Sequence, residues 1–268
     1  MTLTPLEPKR SASTTKASSL RRYLLPGLFG TALLLTGATL QAQETLRAGG
    51  TPSGIPFTFL DVQTNEITGA MVDLVQALGE DMGYDVTVQE SQFNALIPSL
   101  TSGKIDIISA AMLKTPERAQ VVAFSDDVYP YGEGVVIKTD YEGEIHSLDD
   151  LAGETIGAQV GTTYVEQLNA MGIFPEIRNY DTLADMMRDV SLGRIVAGVG
   201  DAPIMGYQLS QGRFPDLQLA EGYEQQMVGH IGLAVAQENT ELLEQLNASL
   251  AKLKEDGTVE AIFEEWGL

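Results

Sequence analysis

The chain has no cysteine, only two histidines (His146 and His230) and one tryptophan, Trp266. Without cysteine there can be no disulfide framework, thiol chemistry or thiolate-ligated metal. The cysteine that a bacterial lipoprotein needs at its processing site is missing too, so no lipid tether of that kind is expected. Basic residues are scarce, with 16 Lys and Arg against 37 Asp and Glu, for a formal net charge of −21. Such acidity argues against nucleic acid and anionic lipid as partners. It fits a solvated acidic surface or adaptation to a saline habitat. No metal-ligand spacing, nucleophile triad or phosphate loop is present, so neither metal nor cofactor is expected.

No apolar run reaches the roughly 18 residues that suggest a membrane span. The longest, Leu24 to Gly37, has 14 residues. It follows a basic Ser/Thr-rich leader carrying Lys9, Arg10, Lys16, Arg21 and Arg22, and Leu40-Gln-Ala42 then offers a small residue for cleavage. This is the layout of a secretory signal. Residues 1–42 are therefore expected to be a cleaved signal, the mature protein is expected in the periplasm as a monomer, and an uncleaved anchor is the alternative. With Glu7, the leader holds a net +4, which leaves about −25 on the remainder.

What is present is a near-repeat about ninety residues apart. Leu100 to Met112 reads LTSGKIDIISAAM and Val190 to Ala202 reads VSLGRIVAGVGDA. In each, a helical segment stops at Gly and a basic residue, and an apolar run follows that ends in small residues. A charged group lies near each end, Arg118 after the first copy and Asp201 in the second. Two α/β units, each delivering one charge of opposite sign, suggest two lobes gripping a zwitterion.

Around these units the pattern alternates helix and short strand, which implies α/β architecture. Helices are expected over Met71 to Leu78, Asn94 to Thr101, Gly161 to Leu168, Asp181 to Leu192, Pro203 to Gln211, Glu241 to Lys254 and Thr258 to Trp266. Thr115-Pro-Glu-Arg118 places Pro at a further helix start. Strands are expected at Thr45 to Ala48, Tyr84 to Val88, Ile105 to Ile108, Thr155 to Ala158 and Ile195 to Val199. Val121 to Ile137 and Met227 to Ala236 look extended, and bracket a central block of roughly one hundred residues. Two such crossings would make a hinge.

Several segments, in order, resemble the polar amino-acid-binding proteins of ABC importers. They are Gly69 to Leu78 (GAMVDLVQAL), Phe93 to Leu100 (FNALIPSL), Gly103 to Asp106 (GKID), Thr115 to Arg118 (TPER), Phe124 to Tyr129 (FSDDVY), Ser147 to Thr163 (SLDDLAGETIGAQVGTT) and Asp201 to Pro203 (DAP), with Leu253 to Trp266 closing the match. The resemblance spans nearly all of the chain after residue 42. It implies two α/β lobes joined by two crossover strands, closing on a ligand between them. Lobe one would be residues 43–129 plus 231–268, and lobe two residues 130–230. The implied partners are a small zwitterionic ligand and the membrane permease of an ABC importer.

The resemblance also assigns roles. Arg118 matches the family Arg that binds the ligand's α-carboxylate, for which a planar guanidinium suits better than Lys. Gly161, Thr162 and Thr163 at a helix start would offer N–H groups and hydroxyls to the same carboxylate. Asp201 matches the family Asp that takes the α-ammonium; a helix N-cap ahead of Ala202-Pro203 is the alternative. Phe93 and Phe57 are candidate aromatic walls, and Ala111 and Leu113 complete the expected ligand set. Two positions depart from the family: Gly54 where an aromatic is common, and Leu113 where Ser or Thr is. These favour an uncharged or apolar-sided amino acid, or a compatible solute such as ectoine, over a strongly basic one. Two other readings stay open. One is a periplasmic enzyme of the cyclohexadienyl dehydratase kind, working through Glu133, Asp201 or His230. The other is a ligand-sensing module.

Overall fold

Gly103 and Gly193 end their helices in the same way. Each has a positive φ, 71° and 65°, a left-handed conformation that glycine adopts without the clash a β-carbon would bring. In the first turn the Gly103 N–H bonds the Leu100 carbonyl and the Lys104 N–H bonds that of Ser99; in the second, Gly193 bonds Val190 and Arg194 bonds Asp189. The near-repeat in sequence is therefore a repeat of local structure. These features come from a computed structural model, which describes residues 44–268. The expected signal segment, residues 1–42, lies outside the described residues.

The chain begins with β1 (Thr45–Gly50), a small antiparallel sheet of β2 (Ser53–Gly54), β3 (Thr58–Asp61) and β4 (Glu66–Thr68), then α1 (Ala70–Met82), β5 (Asp85–Glu90), α2 (Leu96–Thr101), β6 (Ile107–Leu113), β7 (Val122–Phe124) and β8 (Tyr129–Tyr131). It continues through β9 (Glu133–Lys138), β10 (Thr155–Gln159), α3 (Thr163–Met171), β11 (Glu176–Tyr180), α4 (Leu183–Ser191), β12 (Ala197–Asp201), α5 (Ala202–Ser210) and β13 (Leu217–Leu219). It finishes with β14 (Gly229–Ala236), α6 (Thr240–Glu255) and α7 (Thr258–Glu265).

Two larger sheets result, and they share one plan. The first runs β5-β1-β6-β14-β7, with β8 also paired to β14; the second runs β11-β10-β12-β9-β13. In each, three parallel strands meet an antiparallel fourth: β14 beside β6, and β9 beside β12. The repeated units, α2–β6 and α4–β12, thus occupy equivalent places in the two lobes. β6 is buried along its whole length, as an apolar central strand covered on both faces should be. α1 buries Met71, Leu74, Val75 and Leu78, the spacing of one helical face. α6 and α7 return to α1, where the Trp266 indole donates to Asp73 at 2.7 Å and the Tyr84 hydroxyl to Gln245 at 3.2 Å.

The two crossings run side by side. Tyr129, Pro130 and Tyr131 pair antiparallel with Ile231, His230 and Gly229. β9 then enters the second sheet two residues after β8 leaves the first.

Two local expectations are corrected. Thr115 to Arg118 does not open a helix; only a single 3-10 turn forms, over Arg118–Gln120. β7 starts at Val122, which leaves no room for a second turn. The first apolar strand does not stop at Ile108 but continues to Leu113. Its register against β14 shifts between Gly232 and Ala234, and Ala111 adopts φ 51° there. Such a bulge redirects a strand end, and no residue pattern in IISAAML announces it.

Candidate ligand-binding cleft

Arg118 is held in place from three sides. Its Nη1 donates to the Leu113 carbonyl at 2.6 Å, its Nη2 to the Gly161 carbonyl at 3.0 Å, and its guanidinium lies 5.6 Å from the centre of the Phe93 ring. Leu113 and Phe93 come from the first lobe and Gly161 from the second, so the guanidinium sits at the boundary between them. The residue is 9% exposed. Burial lowers its pKa from the ordinary value, yet an arginine this basic keeps its charge.

Asp201 faces the same space from the end of β12. Its Oδ1 accepts the Tyr164 hydroxyl at 2.9 Å. It begins α5 without capping that helix through its side chain, so the carboxylate is directed elsewhere. Burial pushes its pKa up to about 6, against the opposing pull of the Tyr164 hydroxyl and of Arg118. Tyr164 and Tyr131 are themselves raised well above the ordinary tyrosine value, first by burial and then by the nearby Asp201 charge. The Tyr131 hydroxyl donates to the Ala111 carbonyl at 2.9 Å. That bond holds the left-handed residue at the bulge, where backbone strain is concentrated.

Arg118, Asp201, Phe93, Leu113, Thr162 and Thr163 border one narrow cavity, together with Tyr131 and Tyr164. A second cavity continues past Asp201 and Phe93, toward Gln159, Thr51 and Leu183. On the Arg118 side, a groove of about 720 Å3 opens along Lys114, Thr115, Glu166 and Gln226.

Some expected residues contribute otherwise than expected. The Gly161 carbonyl accepts from Arg118, a contact added to the expected role of its N–H. The Thr162 hydroxyl donates to the Gln159 carbonyl at 2.7 Å, so its proton is committed to the turn although the residue borders the cavity. What this segment does offer is the start of α3 at Thr163, whose first N–H groups have no partner within the helix. Phe57 is not part of the cleft wall. It is fully buried in the core, with ring centres of Tyr131, Tyr129 and Phe263 at 5.7, 6.0 and 6.4 Å. Gly54 does line the cleft. Tyr131, Tyr164 and Gln159 are not singled out by the sequence; a tyrosine or glutamine at a strand end or in the first turn of a helix looks like any half-buried residue there.

Of the residues suggested for catalysis, Asp201 lines the cavities, whereas Glu133 and His230 are engaged elsewhere. Glu133 is fully buried and accepts from the Tyr223 hydroxyl at 2.6 Å and from the backbone N–H groups of Gln226 and Met227 at 2.6 and 2.9 Å. It ties the first residue of β9 to the segment leading into β14. His146 contacts Glu144 and the Gly222 carbonyl, and His230 lies 3.8 Å from Asp127; both side chains are more than half exposed.

The family model for the bacterial extracellular solute-binding proteins, family 3, matches residues 46–268. The chain belongs to that family. Among curated relatives it is 35% identical over 242 residues to the putative ABC transporter arginine-binding protein 2 of Escherichia coli (strain K12), covering 88% of this chain and 96% of that one. Two structures of an ancestral arginine-binding protein, one bound to arginine and one to glutamine, superpose with a TM-score of 0.76 at 31% and 32% identity. They cover 83% and 84% of this chain, and 97% and 98% of their own. An ancestral amino acid-binding protein that is a precursor of cyclohexadienyl dehydratase superposes at 0.75, with 30% identity over 83% of this chain and 95% of that one. The two-lobed architecture of this family 3 protein is thus shared with known amino-acid-binding structures.

Proposed function

We propose that the protein captures a free amino acid, or a derivative that keeps both charged ends, between its two lobes and delivers it to the permease of an ABC importer. The observation that carries this reading is the meeting of Arg118 and Asp201, opposite charges from different lobes, on one buried cavity. Arg118 and the first N–H groups of α3 hold the carboxylate. Asp201, oriented by Tyr164, receives the ammonium, and Phe93 forms a wall. Capture at micromolar concentration requires roughly −8 kcal/mol, and charge-assisted hydrogen bonds of about 1.5–3 kcal/mol each supply most of it. The names of the relatives support amino-acid import.

The lobes in this reading divide near residues 130 and 230, where the crossings pair. Residues 1–42 direct export to the periplasm, and the protein acts there as a monomer. Calorimetry of the purified protein against a panel of amino acids and ectoine tests the proposal. Binding of at least one free amino acid is expected, and no binding across the panel would overturn it.

The dehydratase precursor among the structural neighbours favours a second reading, an enzyme acting on prephenate or arogenate. Neither histidine lines the cavities, Glu133 is committed to three donors, and Asp201, which does line them, is taken in this proposal by the ligand's ammonium. The expected turnover of either substrate is therefore nil, and measurable turnover would replace the binding proposal.

A further inference from the structure

We infer that Gln159 makes the site select an amino acid with an uncharged, hydrogen-bond-donating side chain, a carboxamide best of all, and that the site rejects a cationic one. The inference rests on the proposal above that Arg118 and Asp201 hold the two ends of an amino acid.

If the ends lie between Arg118 and Asp201, the side chain can run outward along the groove that Glu117 and Glu166 border or inward, and it takes the inward course, the more enclosed of the two. It extends past Asp201 and Phe93 into the second cavity, whose further walls are Thr51, Ser53, Gly54, Gln159, Leu183 and Ile204. Asp201 is the single charged residue among the lining groups, and the α-ammonium already faces it. A guanidinium or ε-ammonium in this space would leave water for Leu183, Ile204 and neutral polar groups. A buried cation without its own carboxylate is strongly disfavoured. A ligand carboxylate fares no better, because no Lys or Arg lines this second cavity to receive it.

The compartment is nonetheless polar in a directed way. The Gln159 side chain is nearly buried, and its Nε2 donates to the Asp181 carbonyl at 2.9 Å. That bond fixes the amide, since the flipped form would set oxygen against oxygen. Oε1 is then the atom left to accept from a ligand. On the opposite lobe, Thr51 and Thr58 share a hydroxyl pair at 2.8 Å, and the Thr51 N–H bonds the Thr58 Oγ1 at 3.2 Å. A carboxamide, donor and acceptor at once, can use both lobes. A plain aliphatic side chain would leave the Gln159 oxygen unpaired on closure, an expensive omission.

The arginine-binding names among the relatives predict otherwise, so a direct competition decides. Titration calorimetry of the purified protein with glutamine, leucine and arginine is expected to rank them in that order, with arginine weaker than glutamine by at least about 100-fold. The near-isosteric Gln159→Met removes the acceptor; it is expected to lower glutamine affinity by about tenfold or more and to leave leucine within a few-fold. Arginine binding as tightly as glutamine, with Arg118→Ala abolishing both, would overturn the inference and leave the amino-acid reading intact. Unchanged glutamine affinity in a folded Q159M would remove Gln159 from the role. Should that variant not fold, the wild-type ranking alone decides. If no amino acid binds at all, both readings fall together.

Discussion

The Arg118 guanidinium donates to the Gly161 carbonyl at 3.0 Å, a bond between a residue that follows β6 and one that precedes α3. The residue proposed to grip the ligand therefore also joins the two lobes. Arg118→Ala is expected to weaken ligand binding by at least about tenfold, with far-UV circular dichroism unchanged. Arg118→Lys should recover little, because an ammonium cannot span two acceptors with a planar fork. Calorimetry on both variants checks this, and wild-type affinity in Arg118→Ala would break the proposal.

Gly161 allows the close approach. Its φ is 82°, and a β-carbon there would come within 2.8 Å of the Asn94 Cα, backbone of the opposing lobe. Gly161→Ala should therefore fold but close poorly. A ligand-induced decrease in radius of gyration by small-angle scattering is expected in the wild type and diminished in the variant, with affinity reduced by about tenfold or more. Full compaction in the variant would show that the lobes do not need this contact.

Asp201 makes binding pH-dependent. Its carboxyl is raised from 3.8 to about 6, chiefly by burial. Only the ionised form attracts an ammonium, so affinity should be level above roughly pH 7 and fall by up to about tenfold per unit below 6. For the ligand-free protein the sign is opposite. A raised acid favours the folded state while protonated, so this group's contribution is full below pH 3.8 and lost as the pH rises through about 6. Tyr164→Phe removes a donor to the carboxylate, and should move the binding midpoint to higher pH. Calorimetry from pH 5 to 8 on both proteins tests it; identical profiles would show that Tyr164 does not tune Asp201.

Glu133 organises the crossing. It is fully buried and satisfies three donors from Tyr223, Gln226 and Met227. Glu133→Gln turns one acceptor into a donor facing an N–H, at an expected cost of about 2–4 kcal/mol. For a chain of this size that lowers Tm by roughly 5–15 °C. A thermal melt within a degree of wild type would mean that the segment before β14 holds its place without the carboxylate.

Much of the architecture was legible because it rests on local rules. The alternation of helix and strand, the turns at Gly103 and Gly193, and the opposite charges at Arg118 and Asp201 follow from residue type and spacing. Failures came where distant segments compete for the same residue. Phe57 looked like a cleft aromatic beside Pro56, but three other rings from distant parts of the chain draw it into the core. Thr162 looked like a free hydroxyl, but its own turn uses it. The 3-10 turn at Arg118 and the bulge at Ala111 depend on where β7 and β14 must begin and pair, and no local pattern records that.

The sequence by itself determined two repeated α/β units, a resemblance that implied two lobes, and a charge of each sign to place between them. Periodicity and turn chemistry are properties of a dozen neighbouring residues, so they can be read along the chain. Only the tertiary structure decided which atoms face the cleft. Arg118 is aimed by the Leu113 and Gly161 carbonyls, Asp201 by Tyr164, and Gln159 by the Asp181 carbonyl. The Arg118–Gly161 and Tyr164–Asp201 bonds join residues 43 and 37 positions apart. Burial then sets the charge state of what they aim, and burial belongs to the folded chain as a whole.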